Sequence, residues 1–253
     1  MMNRKPLPKS RPWGIDNPVD VVYEPGPLLF PSLFRLLKVN PIILKVLARY
    51  PVTGHPIFVV QRYVVSERIV EMPFVLRNLD KEEFVLDIGS SGSVIPLELA
   101  HLGYKVWAVD QRTYPLTHPN LVFVRTDACA TGLPPIFFDA AISLSTIEHI
   151  GIGFYGDPER ERGDDAAMRE LCRVLKPSGK LILTVPFGRP CETWQRVYDS
   201  GGLARLLANF HVEKSQFYRK HKETWIATVE AELSDVDSSV VTNGVALIVA
   251  RKA

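Results

Sequence analysis

Between residues 84 and 186, short apolar runs that end in an acid or a turn alternate with stretches of helical spacing. Phe84-Val-Leu-Asp-Ile88 leads into the turn Gly89-Ser-Ser-Gly-Ser93. Val94 to Leu102 repeats its apolar positions at helical intervals and stops at Gly103, and Val106-Trp-Ala-Val-Asp110 follows as a second run. Strand, Gly/Ser turn, helix and strand make one βαβ unit. Leu121 to Ala128 and Phe137 to Ser145 read as a third and a fourth strand, and a helix from Met168 runs into a fifth strand at Lys180 to Pro186. Before the first strand, Val64 to Leu76 predicts a helix that Pro73 kinks. After the fifth, Tyr198 to Phe210 predicts a helix, and His211 to Tyr218 and Val245 to Ala250 predict strands. About 25 residues separate these last two, too many for a hairpin turn. The stretch from His221 onward therefore reads as an insertion, with a substrate lid as its candidate role.

A βαβ unit aims backbone N–H groups and a helix N-terminus at a ligand. Two cofactor classes fit this outline. A dinucleotide fold needs G-x-G-x-x-G for close approach to a pyrophosphate. Here Asp87 near the end of the first run opposes such a dianion, and the glycine spacing fails at Ser93. An acid in that place suits a ligand with an ammonium group. Asp110 ends the second run roughly 20 residues after the turn, where the fold brings a ribose hydroxyl. The plainer alternative is an ordinary βαβ turn with a capping Asp.

The stretch from Asp87 to Ser93 resembles the first motif, D-x-G-x-G-x-G, of class I S-adenosylmethionine-dependent methyltransferases. Asp87 and Gly89 match, while Ser91 and Ser93 replace the second and third glycines. Serine tolerates a positive φ poorly, so Gly92 is expected to supply the freedom of the turn. The Phe137-Phe-Asp start of the fourth strand and the turn Leu175-Lys-Pro-Ser-Gly179 before the fifth are further points of resemblance. The resemblance implies a Rossmann-like α/β sheet of order 3-2-1-4-5-7-6 with the last strand antiparallel, and S-adenosyl-L-methionine as cofactor. It also implies that Asp87 and the Gly89, Ser90 and Gly92 turn hold the methionine end. Asp110 and Gln111 would hold the ribose, Asp127 and Ala128 the adenine, and Ser145 the edge of the same cleft.

Composition is that of an ordinary globular protein. The chain has 253 residues, is 46% apolar and 23% charged, and carries a net charge of +2, which gives no footprint for a nucleic-acid partner. Cys129, Cys172 and Cys191 form neither a disulfide framework nor a zinc site, so a reducing cytoplasm is the expected location. Met1 to Pro12 lacks the apolar core of a signal peptide. Half of the 20 prolines fall between Pro6 and Pro56. Residues 1–60 therefore read as a proline-rich arm and an N-terminal helical cap, and residues 61–253 as the methyltransferase domain. Residues 30–50 hold two short basic amphipathic segments broken at Pro41; a cap is favoured over contact with a membrane surface.

The segment after the fourth strand, Ser145-Thr-Ile-Glu-His-Ile-Gly-Ile-Gly-Phe-Tyr-Gly-Asp-Pro158, is the most distinctive. Its I-E-H-I-G and Y-G-D-P resemble an uncharacterised bacterial and archaeal subgroup of the family, some of whose members are associated with sugar modification. The N/D-P-P-Y/F motif of amino-directed relatives is absent, and so is the acidic set of magnesium-dependent ones, so no catalytic metal is expected. His149 is the candidate general base, since a neutral imidazole accepts a proton near physiological pH. The alternative is that it shapes the cofactor pocket. Tyr155 and Asp157 are candidate substrate contacts, with a loop turn as their alternative. The expected reaction is methyl transfer to a small-molecule or sugar acceptor, as an O-methylation. A non-catalytic cofactor- or partner-binding member of the fold and a nicotinamide-dependent oxidoreductase stand as alternatives.

Overall fold

The acid-ended runs lie side by side as parallel strands in a computed structural model that describes residues 65–253 apart from 81, 82 and 157. The arm and cap expected over 1–60, and the candidate contact Asp157, lie outside the described residues. Strands β1 (Phe84–Ile88), β2 (Lys105–Asp110), β3 (Leu121–Arg125), β4 (Phe138–Leu144) and β5 (Leu175–Pro186) form a parallel core of order β3-β2-β1-β4-β5. Short β6 (Cys191–Glu192) and β7 (Arg196–Val197) pair with each other outside this sheet. Beyond β5 the sheet continues with β10 (Gly244–Lys252), antiparallel to it, then β8 (Phe210–His221) and β9 (Thr224–Thr228). This is the expected order with one strand added at the edge. The described residues also form four α-helices, α1 (Arg68–Asn78), α2 (Ile95–His101), α3 (Gly163–Val174) and α4 (Ser200–Leu206), and two 3-10 turns, Ile147–His149 and Glu230–Leu233.

Burial on both faces explains why the central strands read as continuous apolar runs. Leu86, Ile88, Phe138 and Leu183 point to one buried cluster with Leu171 of α3. Val85, Val106, Ile142 and Val249 point to the other, with Phe74 of α1 and Leu99 of α2. Neighbouring residues of β1 thus feed opposite cores, as a period of two requires.

The structure moves several predicted boundaries. β3 ends at Arg125, so Asp127 and Ala128 lie in the following turn, where Asp127 bridges to Ala130. Helix α3 begins at Gly163, five residues before the predicted start, because Asp164 and Asp165 favour its first turn. The Lys-Pro-Ser-Gly turn is an irregularity within β5: the pairing jumps from Phe138↔Leu175 to Ala140↔Lys180, with Ser178 at φ 58°. The stretch from His221 is partly a strand. Thr224–Thr228 folds back on β8 as an edge strand, with Trp225 buried. Residues 234–243 brace the chain after β5: Arg189 N–H donates to the Val236 carbonyl, and Gln195 Nε2 to the Ser238 carbonyl.

Candidate functional site

Open parallel sheets present their ligands at the carboxyl ends of the strands. The first such end is the turn after β1. Gly89 (φ 76°) and Gly92 (φ 82°) take positive φ, whereas Ser91 and Ser93 do not, as the sequence led us to expect. A Cβ on Gly89 would overlap the side chain of Thr146, so glycine is needed there for space as well as conformation. The turn is mostly self-satisfied. The N–H groups of Gly89 and Ser90 donate to the Val109 carbonyl, Ser91 N–H to Asp110 Oδ2 at 2.9 Å, and Ser93 N–H to the Ser90 carbonyl. Among these, Gly92 N–H is left for a ligand. The Ser90 hydroxyl is buried without a hydrogen-bond partner among the described residues.

The β2–β3 side is rich in donors. Asp110, 8% exposed, accepts at Oδ1 from Arg112 N–H (2.8 Å) and Nε (3.3 Å), and at Oδ2 from Ser91. Oδ2 keeps a lone pair for a ribose hydroxyl. Gln111 is exposed, and its carbonyl accepts from Arg125 Nε at 2.7 Å. Asp127 accepts from Cys129 N–H (2.8 Å) and from the Arg160 guanidinium (2.9 Å), and Ala128 sits beside it, half-buried. Burial first, and then the Asp127 carboxylate, push the Cys129 thiol up to about 11, so this cysteine is inert at neutral pH.

The β1–β4 side is poor in donors. Asp87 is 2% exposed. Burial pushes its carboxyl up to about 8, opposed by the Arg68 guanidinium and reinforced by the Asp110 charge. After β4 the chain makes a tight corner at Ser145 (φ 45°), whose N–H donates to Thr184 Oγ1 at 2.9 Å and whose hydroxyl donates to Glu71 Oε1 at 2.6 Å. Arg68 from the same helix turn donates to the Leu144 carbonyl at 3.0 Å and lies 3.5 Å from Glu71 Oε2. A 3-10 turn, Ile147–His149, then places Glu148 inward at 1% exposure. Both of its carboxyl oxygens lack hydrogen-bond partners among the described residues. Burial holds that carboxyl well above the ordinary range; its own backbone amide and Arg68 oppose the shift, and Glu71 and Glu67 add to it.

His149 faces the same place. Its Nδ1 lies 3.1 Å from the Trp194 carbonyl, which only accepts, so Nδ1 carries the proton and Nε2 the lone pair in the neutral ring. Nε2 is 3.8 Å from Glu148 Oε1. The ring meets Tyr155 edge-on at 5.0 Å and Trp194 at 5.3 Å, and Phe154 joins them. Tyr155 also lies under the Arg112 guanidinium at 5.2 Å, so it links the β2 side to the β4 side. The structure therefore brings together Asp87, Gly89, Ser90, Gly92, Asp110, Ser145, His149 and Tyr155 around one row of strand ends. Sequence reasoning missed Arg68, Glu71, Glu148 and Trp194. Arg68 and Glu71 stand in the first turn of α1, and the I-E-H triplet carried Glu148 in plain view. Trp194 had no signal, since its contact spans 45 residues.

S-adenosylmethionine fits these residues. Asp87, buried and with no hydrogen-bond donor to its carboxyl among the described residues, would accept an ammonium group, Asp110 would accept a ribose hydroxyl, and the Ser90 hydroxyl is buried without a partner among the described residues. Among the described residues no cluster of three or more His, Cys, Asp or Glu has metal-holding geometry, and no helix is long and apolar enough to cross a membrane.

Known proteins point the same way. Residues 86–183 match a family model described as "Methyltransferase domain", and residues 136–251 match one described as "Caenorhabditis protein of unknown function, DUF268". A ubiquinone biosynthesis O-methyltransferase of Xanthomonas oryzae pv. oryzae is 28% identical over 167 residues, which cover 60% of this chain. The chain spans 64% of the length of that relative. A solved structure of Burkholderia thailandensis 1,6-didemethyltoxoflavin-N1-methyltransferase, with its acceptor and S-adenosylhomocysteine bound, is similar at TM-score 0.54 and 15% identity, covering 92% of this chain and 95% of that one. The [4+2]-cyclase SpnF is similar at TM-score 0.51 and 17% identity, over 86% and 94%. At such identities these structures show the shared fold alone.

Proposed function

We propose that the chain is a class I S-adenosylmethionine-dependent methyltransferase that O-methylates a small-molecule or sugar acceptor, on the strength of the methyltransferase-domain match over residues 86–183 and the similarity to a curated O-methyltransferase. The observation that carries this reading is the contrast between Asp87, buried without a donor, and Asp110, ringed by donors, on adjacent strands. A ligand that is cationic at one end and carries neutral hydroxyls at the other matches that contrast.

In this reading Asp87 would hold the methionine ammonium, Asp110 Oδ2 a ribose hydroxyl, and Asp127 the adenine amine, with Arg160 giving way at Oδ2. When bound, the cofactor supplies a methyl group already made reactive by its sulfonium. The protein's part is alignment and the exclusion of water. His149, Phe154, Tyr155 and Trp194 form an aromatic wall beside the strand ends, a surface against which a ring-bearing acceptor stacks. His149 stands just beyond β4 with Nδ1 3.1 Å from the Trp194 carbonyl, which supports a role in proton transfer. The relative named for ubiquinone biosynthesis is an O-methyltransferase, which favours a hydroxyl acceptor here. The three free cysteines accord with a reducing cytoplasm.

Native mass spectrometry of freshly purified protein tests the premise. Co-purified S-adenosylmethionine or S-adenosylhomocysteine is the expected result, followed by labelled methyl transfer in a screen of sugars, phenols and small hydroxy metabolites. A bound nicotinamide dinucleotide would overturn the reading.

A further inference from the structure

Glu148 is the buried group that the cofactor contacts above leave unused. It is 1% exposed, and neither oxygen has a hydrogen-bond partner among the described residues. An ionised carboxylate there would have only its own backbone amide and the Arg68 charge to set against its lost water, so the free protein holds it as the neutral acid. The charges around it are set by each packed element. From α1, Arg68 faces it together with Glu71 and Glu67, and Arg68 already serves the Leu144 carbonyl and Glu71. On its own turn, His149 Nε2 stands 3.8 Å away. From α3, Asp164 is balanced by Arg205 and by the Tyr198 hydroxyl, which donates to it at 3.2 Å. From β7, Arg196 is held by the Ile150 carbonyl and Glu192. Among the described residues, the acids Glu71 and Glu67 thus outnumber Arg68, the cation that opposes them.

We propose that Glu148 stores the proton of methyl transfer: it is neutral in the free protein, ionised while a sulfonium cation occupies the cleft, and reprotonated by the acceptor when that cation is consumed. This rests on the methyltransferase reading and deepens it. In the transfer the acceptor's O–H bond breaks and its proton goes to a Glu148 oxygen. The acceptor oxygen forms the new bond to the methyl carbon, and the sulfur–methyl bond breaks with its electron pair left on sulfur. A cation, a carboxylate and a neutral hydroxyl become a thioether, an acid and an ether, and charge balances at each end. His149, held at Nδ1 by the Trp194 carbonyl with Nε2 3.8 Å from Glu148 Oε1, is then a positioning residue beside the Glu148 carboxyl.

S-adenosylmethionine and S-adenosylhomocysteine separate this role from that of Asp87, because both carry the ammonium and only the first carries the sulfonium. Calorimetric titration of the wild-type protein with each, in two buffers of different ionisation enthalpy, counts the protons released. The expected result is a larger release with S-adenosylmethionine, by up to about one proton, and no such excess in Glu148→Gln. Equal release in the wild type overturns the proposal, and so does an excess that survives in Glu148→Gln. Should the variant fail to fold, difference infrared spectra of the wild type decide: a protonated-carboxyl band must vanish with S-adenosylmethionine and persist with S-adenosylhomocysteine. If neither compound binds, the methyltransferase reading itself has failed, a result distinct from equal proton counts.

Discussion

The acids at the ends of β1 and β2 stand on paired strands, with Asp87 opposite Ala108 and Asp110 two residues further along, yet they live in opposite electrostatic settings. Asp110 accepts three hydrogen bonds, one from the β1 turn and two from Arg112. Asp87 is buried, and its carboxyl rises to about 8. The β2–β3 half of the cleft is supplied with protein donors, and the β1–β4 half, with Glu148 beside it, has none for either carboxyl among the described residues. A carboxylate satisfied by fixed donors positions neutral hydroxyls; one left without them selects a cation. The two halves together describe a ligand with a neutral sugar at one end and a cationic group at the other.

The most forceful way to break this comparison is to neutralise the starved half. Asp87 binds its proton more tightly in the folded chain than in the unfolded one, where its pKa is 3.8, so unfolding releases a proton between the two values. The cofactor-free protein therefore loses stability as pH rises from about 4 to about 8, and this contribution is flat on either side of that window. Asp87→Asn removes the dependence. Urea unfolding should show the variant gaining on the wild type by on the order of 3–5 kcal/mol between about pH 4 and pH 8. A gap that does not change with pH would show that Asp87 is ionised throughout.

A smaller effect is expected from the satisfied half. Asp110→Ala deletes a charged acceptor and leaves Ser91 N–H and the Arg112 side chain without their partner. Affinity for S-adenosylhomocysteine should fall by about 1.5–3 kcal/mol, or roughly ten- to a hundredfold, in a protein that still folds. Unchanged affinity in the folded variant removes Asp110 from the site.

The sequence made the satisfied half easier to read than the starved one. Asp87, Asp110 and Asp127 each close or follow an apolar run, and local periodicity alone puts them at one edge of a parallel sheet. The turn glycines were legible for the same reason, since only Gly89 and Gly92 needed positive φ. Glu71 and Glu148 were not, because their burial is made by contacts far apart in the chain. Ser145 meets Glu71 across 74 residues, and Arg68 meets Leu144 across 76. His149 was found from its place after β4, but its tautomer depends on the Trp194 carbonyl, which local pattern does not reveal. Strand β9 was hidden in the same way. Thr224-Trp-Ile-Ala-Thr228 is too short to stand out, and its pairing with β8 becomes visible only once β8 is seen to run on to His221.

The central claim, that the starved half of the cleft receives the cationic end of an S-adenosylmethionine-type ligand, is tested most directly by titrating the wild-type protein with S-adenosylhomocysteine across pH. An ammonium group arriving at Asp87 must expel its proton, so affinity should climb between about pH 6 and pH 8 with protons released on binding, and level off as Asp87 ionises unaided. Binding that ignores pH and exchanges no proton, or no binding at all, would contradict the account.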